Sequence, residues 1–223
     1  GAGKTTLLSL LNGSQQVTAG AVLVDGQRLD ERRGAELRRL RSELAFVYQL
    51  LHLIPNLRVL QNVLMGRLGR LGFFSSLRLL LAPQKNVVEE VYQLLMRVGI
   101  AEKLYQPVSR LSGGEQQRVA IARALFQQPR ALLTDEPVSS VDPARAHEVL
   151  ELLTSLARER GVTLCMSIHQ VELAQRFFPR LVGLRRGQVV FDGPPEDFTQ
   201  AAYDSLYSLT EADPAAPTML RDG

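Results

Sequence analysis

Two uninterrupted apolar runs, residues 131–134 and 162–168, constrain this chain more than any other feature of it. A strand with one wet face alternates apolar and polar residues. Runs apolar at nearly every position instead fit parallel strands covered on both faces. Between them Asp142-Pro143 supplies an N-cap with proline at the first helical position, and Gly161 supplies a stop, so a helix is predicted there. The pattern is that of an α/β core.

The rest of the chain fits around that core. Residues 5–11 read as a short apolar helix closed by Gly13. Residues 17–25 and 44–48 read as strands, the second leading straight into Gln49. From 57 to 128 the pattern is helical: Val87, Val88, Val91, Leu94, Leu95 and Val98 share one helix face, which Gly99 ends. Residues 181–184 and 189–191, joined by Arg185-Arg186-Gly187-Gln188, read as a late hairpin. The expected organisation is a core of residues 1–56 and 129–200, a helical insertion over 57–128, and a C-terminal helix with a mobile tail over 201–223.

Composition narrows the function classes. With 45% hydrophobic and 22% charged residues over 223 positions, the chain can bury a sizeable core, which excludes a disordered chain, a collagen-like repeat and a disulfide-stapled miniprotein. Cys165 is the single cysteine and is expected to be a reduced, buried thiol, as in a cytosolic protein. The densest basic stretch, residues 32–41, is interleaved with Glu31, Glu36 and Glu43 and reads as a solvated helix face, so no nucleic-acid partner is expected. The longest apolar stretch, residues 71–81, is broken by Arg78 and falls short of the roughly 20 residues of a membrane span. The chain opens on a glycine-rich motif and not on a signal peptide, so any membrane is expected to be met from the side, through a partner.

That opening motif carries the first chemistry. Gly1-Ala2-Gly3-Lys4-Thr5-Thr6 is the second half of the pattern G-x-x-x-x-G-K-[ST]. Glycines let backbone N–H groups wrap phosphate oxygens, and the following helix adds the partial positive charge of its N-terminus. Lys4, one of only three lysines, supplies a point charge for the β- and γ-phosphates, and the Thr5 hydroxyl can ligate Mg²⁺. The plainer reading is a glycine-rich turn capping a helix. The first glycine of the pattern would precede residue 1, so the chain is expected to begin inside its own nucleotide site, without the strand that feeds the loop or an aromatic that stacks on adenine.

The most specific stretch is Leu111-Ser112-Gly113-Gly114-Glu115-Gln116-Gln117-Arg118. Ser112 and Glu115 have the spacing of a capping box opening a helix over 116–126. Two consecutive glycines in the first turn weaken a helix by about 1 kcal/mol each relative to alanine, so a cap alone would not select them. Bare N–H groups at a helix N-terminus make sense where an anion must approach closely.

Residues 111–115 resemble the LSGGQ signature of ABC-type ATPases, with Glu115 in place of the commoner glutamine. Other landmarks of that family follow in order. Residues 131–136 resemble the Walker B strand with its terminal acidic pair, Ser139-Ser140-Val141-Asp142 resembles the D-loop, Gln49 the Q-loop glutamine and His169 the switch histidine. The resemblance implies a P-loop NTPase core with a mostly parallel sheet and an inserted α-helical subdomain, here lacking its first strands. It implies ATP and Mg²⁺ as ligands: Gly1, Ala2, Gly3, Lys4, Thr5 and Thr6 around the phosphates, and Thr5, Gln49 and Asp135 around the metal. Glu136 would be the general base, with Gln49 and His169 beside the reacting phosphate. Ser112, Gly113, Gly114, Glu115 and Asp142 would serve the nucleotide of a second copy in a head-to-tail, ATP-bound homodimer.

Three stretches are similar to the ATP-binding subunits of phosphonate importers: residues 62–69, the insertion 75–86, and His169-Gln170-Val171-Glu172-Leu173-Ala174. That resemblance implies integral membrane permease subunits as partners, a periplasmic solute-binding protein reached indirectly, and a peripheral position on the cytoplasmic face of the inner membrane. The stretch Gly72-Phe73-Phe74 near Arg67 and Arg70 is the expected docking surface. Other ABC transport systems, and ABC ATPases that do no transport, are the alternatives.

Overall fold

The computed structural model describes residues 2–138 and 143–207. Gly1, residues 139–142, where the D-loop is expected, and the tail from residue 208 lie outside the described residues.

The central sheet is parallel, in the order β3-β4-β5, with β3 at Leu44–Val47, β4 at Ala131–Asp135 and β5 at Thr163–Ser167. The two apolar runs thus pair with one another, Leu132 opposite Leu164 and Asp135 opposite Ser167. β4 is the middle strand and is buried from Leu132 to Asp135. β5 is the outer strand of the described sheet and is only half-buried, with Thr163 exposed, so the expectation of two covered faces fails there. Cys165 accordingly is half-buried, not buried. Partial burial still pushes its thiol pKa up, so it stays protonated and inert. The predicted helix between the strands is α7, Pro143–Glu159, followed by Gly161 at φ +63°.

The strand expected over residues 17–25 is much shorter. β1 is Leu23–Val24, and Asp25 and Gly26, both at positive φ, turn the chain back into β2, Gln27–Arg28. Two consecutive left-handed residues make the turn whose twist matches a hairpin, and Asp-Gly is the pair best able to adopt it. The late hairpin is built the same way: β6, Leu181–Arg185, and β7, Gln188–Gly193, are joined by Arg186 and Gly187, again both at positive φ.

Between β3 and β4 the chain is helical, as predicted. It contains α3 (Val59–Leu64), a 3-10 turn (Met65–Arg70), α4 (Phe73–Leu81), α5 (Lys85–Arg97) and α6 (Gly113–Phe126). α5 buries Val91, Leu94 and Leu95, the centre of the predicted face. One buried cluster runs from Ala45, Val47 and Leu132 of the sheet into Val59, Val63, Leu95, Ile121, Leu125 and Phe126, so helices and sheet share a core. Gly66 allows the tightest approach, because a Cβ there would collide with the main-chain carbonyl of Arg123 on α6. Arg67 is turned inward as well: its guanidinium forks onto Glu90, donates to the Phe126 carbonyl and lies over the Phe126 ring. Arg70 donates to the carbonyls of Ser42 and Gln128. Neither arginine is therefore free to take part in docking beside Phe73 and Phe74.

Candidate functional site

The glycine-rich segment opens α1, Lys4–Leu11, with Gly3 as N-cap at φ +96° and no side chain capping the helix. A left-handed residue at this point favours glycine, and it leaves the first N–H groups of the helix bare. Leu8 anchors the helix in the interior, while Thr5 and Thr6 are exposed. The segment is pinned to the late hairpin, since Gly187 N–H donates to the Ala2 carbonyl at 3.0 Å.

Beside this helix start the structure gathers three of the expected residues. Lys4 Nζ lies 3.7 Å from Glu136 Oε1 and 3.3 Å from His169 Nδ1, and His169 Nε2 contacts Glu136 Oε1. Lys4, Glu136 and His169 thus close a triangle joining the ends of α1, β4 and β5, residues 132 and 165 positions from Lys4 in the chain. Asp135 sits next to it, 8% exposed, at the C-terminal end of β4. Gln49 is exposed two residues beyond β3, and the pairing of Val47 with Thr134 sends its loop out of the same sheet end as the acids.

Several side chains that sequence reasoning passed over hold these loops. Ser167 Oγ donates to Asp135 Oδ1 at 2.6 Å and accepts the Glu136 N–H at 2.9 Å. Gln117 of α6 donates to the Pro137 carbonyl at 2.6 Å. Arg123 of the same helix donates from its two terminal nitrogens to the carbonyls of Leu51 (2.6 Å) and His52 (2.7 Å), and His52 stands at φ +47°. Burial lowers the pKa of that guanidinium from its ordinary value. Buried Asn62 both accepts from and donates to the main chain of Ile54. Tyr207, on α9 (Gln200–Tyr207), donates its hydroxyl to the His169 carbonyl at 3.2 Å. The helix that begins at the signature residues is therefore fastened both to the turn after Glu136 and to the loop after Gln49.

The capping box itself is present. Ser112 N–H and Oγ donate to Glu115 Oε2 at 2.8 and 2.9 Å, and Glu115 N–H returns to Ser112 Oγ at 3.4 Å. The Ser112 N–H and hydroxyl, then Lys103 at 3.2 Å, hold the Glu115 carboxyl below its ordinary pKa. Ser112, Gly113 and Gly114 are exposed; among the described residues the Ser112 hydroxyl is bonded to Glu115 and its carbonyl accepts the Gln116 N–H, with no bond to the triangle. Asp142 and Gly1 lie outside the described residues.

The candidate metal donors Thr5, Gln49 and Asp135 offer hydroxyl, amide and carboxylate oxygens, the donor types that Mg²⁺ takes. Among the described residues no group of three or more His, Cys, Asp or Glu could hold a metal ion. Mg²⁺ takes one or two protein oxygens, with phosphate and water completing its shell, a demand that the buried Asp135 carboxylate and the exposed Thr5 hydroxyl can meet by type.

The sequence profile of the family described as ABC transporter matches residues 1–139. Among curated proteins, the chain is 42% identical to "Phosphonates import ATP-binding protein PhnC 3" of Halalkalibacterium halodurans over 93% of this chain and 80% of that protein. It is 48% identical to "Phosphonates import ATP-binding protein PhnC" of Frankia casuarinae over 93% of this chain and 81% of that one. Among solved structures, cbiO1 of Clostridium perfringens, part of the cbiONQ complex, superposes with a TM-score of 0.76 at 26% identity, covering 92% of this chain and 78% of that one. The ATP-binding cassette MJ0796, in a dimeric post-hydrolysis state with ADP and Pi, superposes with a TM-score of 0.74 at 28% identity, covering 87% of this chain and 81% of that one. A glycine-capped helix start, an acidic strand end and a histidine are brought together on this parallel sheet, and the chain belongs to the ABC transporter family.

Proposed function

We propose that this ATPase drives the import of phosphonates through a membrane permease, and that Lys4, Glu136 and His169 form the reactive part of its site. The observation that carries the reading is their convergence, because it sets a cation, a carboxylate and a histidine within contact of one another beside bare helix N–H groups. The N–H groups of residues 2–6 and Lys4 bind the β- and γ-phosphates of ATP, and the sequence pattern assigns Gly1 to the same task. Thr5, Asp135 and Gln49 hold Mg²⁺, which when bound neutralises phosphate charge. Glu136 accepts the proton of the attacking water, and His169, already on the Glu136 carboxylate, orients that carboxylate toward the γ-phosphate.

Ser112, Gly113 and Gly114, exposed at the start of α6, complete the site of a second copy together with Glu115 and the segment containing Asp142. Two ATP molecules are then enclosed in a homodimer. Closure is passed to the permease through α6, whose Gln117 and Arg123 grip the loops after Glu136 and Gln49. The permease contact is placed on the exposed residues Phe73, Phe74, Leu77 and Leu81 of α4, on the helical insertion over 57–128. No helix among the described residues is long and apolar enough to cross a membrane. The cytoplasmic face of the membrane, reached through the permease, is the position that the likeness to import ATP-binding proteins suggests. The phosphonate assignment rests on the relatives named above. It is tested by reconstituting the full-length protein with its permease and phosphonate-loaded binding protein in vesicles. ATP hydrolysis stimulated by phosphonate, and not by sulfate, is expected. Equal rates with and without phosphonate overturn the assignment.

A further inference from the structure

We infer that Ser167 is the positioning residue for both acids of the site, one buried hydroxyl fixing the Asp135 carboxylate and the Glu136 backbone together. Ser167 and Asp135 are direct partners across β4 and β5. The hydroxyl hydrogen goes to Asp135 Oδ1 at 2.6 Å, within the range of a charge-assisted bond, and the hydroxyl oxygen accepts the Glu136 N–H at 2.9 Å. Ser167 is 6% exposed and Asp135 8%, so water has little access to replace either bond. Glu136 stands at φ +48°, a conformation that side chains other than glycine, asparagine and aspartate adopt only when their surroundings hold them. Its N–H is tied by Ser167 and its carboxylate by His169, two residues further along the same chain segment. The Ser167 hydroxyl acts through others: through the Asp135 carboxylate and through the main chain that carries Glu136.

The inference rests on the ATPase reading, and its test separates the two. In the full-length protein, Ser167→Ala is expected to lower kcat about tenfold while KM for ATP stays within about twofold, and Ser167→Thr, which keeps the hydroxyl, to restore most of kcat. Hydrogen exchange at the Glu136 amide supplies a readout independent of turnover, and should quicken about tenfold or more in the alanine variant and not in the threonine variant. Absence of ATP hydrolysis in the wild type would refute the ATPase reading and leave the amide exchange to judge Ser167. Wild-type kcat in the alanine variant, or unchanged exchange at Glu136, overturns the inference. Equal loss of kcat in folded alanine and threonine variants overturns it as well.

Discussion

Lys4 Nζ stands 3.7 Å from Glu136 Oε1, so the cation that should hold phosphate and the carboxylate that should activate water face each other directly. Both side chains are partly exposed, 25% and 20%, and an ion pair of this kind stabilises a fold by about 1 kcal/mol or less. Its significance is functional. A γ-phosphate entering the site offers Lys4 a stronger anionic partner, and Glu136 is left with His169. Lys4→Ala is therefore expected to weaken ATP binding by about tenfold or more, with a stability change within about 1 kcal/mol. Calorimetric titration and a denaturant melt check the two halves. Unchanged ATP affinity contradicts the placement of Lys4 at the phosphates.

The cap on α6 gives a pH prediction. The Ser112 N–H and hydroxyl and Lys103 hold Glu115 below its ordinary pKa, so the folded state binds a proton less readily than the unfolded state. The stabilisation is then fully present above the unfolded carboxyl value and is lost as pH falls through the lower folded value. Glu115→Gln, which keeps a capping side chain without the charge, is expected to melt below the wild type at pH 7. That gap should close as pH drops below about 4. Thermal melts of both proteins across this range measure it. A gap that stays constant to pH 3 contradicts the charged cap.

Arg123 binds two successive carbonyls with one planar fork, at 2.6 and 2.7 Å. Lysine keeps the charge but offers its donors from a single nitrogen on a flexible stem, so Arg123→Lys loses the fixed two-nitrogen plane that spans both carbonyls. A destabilisation of about 1–3 kcal/mol is expected from the denaturant midpoint. A change below about 0.5 kcal/mol would show that the loop after Gln49 does not depend on this contact.

How far the sequence reveals this site depends on how local each role is. Gly3, Lys4, Ser112 and Glu115 belong to motifs a few residues long, a glycine-rich turn and a helix cap, so their spacing alone points to them. Glu136 and His169 each end a strand, and their meeting becomes legible once the two apolar runs are paired. Ser167 gives no such sign. A serine closing an apolar strand has no local partner, and its value comes from standing opposite Asp135 in the β4–β5 register. Gln117 and Arg123 sit among ordinary polar helix residues, and Tyr207 lies 38 residues from the histidine it supports. Their roles depend on which loop each element packs against. The short β1–β2 hairpin is a different case, because its Asp25-Gly26 turn is visible in the sequence and the apolar residues around it mask it.

On the proposed function, Glu136 is the base of an ATPase that closes as a dimer around two nucleotides. Glu136→Gln in the full-length protein removes the base and leaves Lys4, Thr5 and Asp135 in place. Size-exclusion chromatography with light scattering, run with and without Mg-ATP, reads the consequence alongside steady-state hydrolysis. Hydrolysis is expected to fall by about a hundredfold or more, and the variant should elute as a stable ATP-bound dimer. Near-normal hydrolysis, or a variant that remains monomeric in saturating Mg-ATP, would contradict the account.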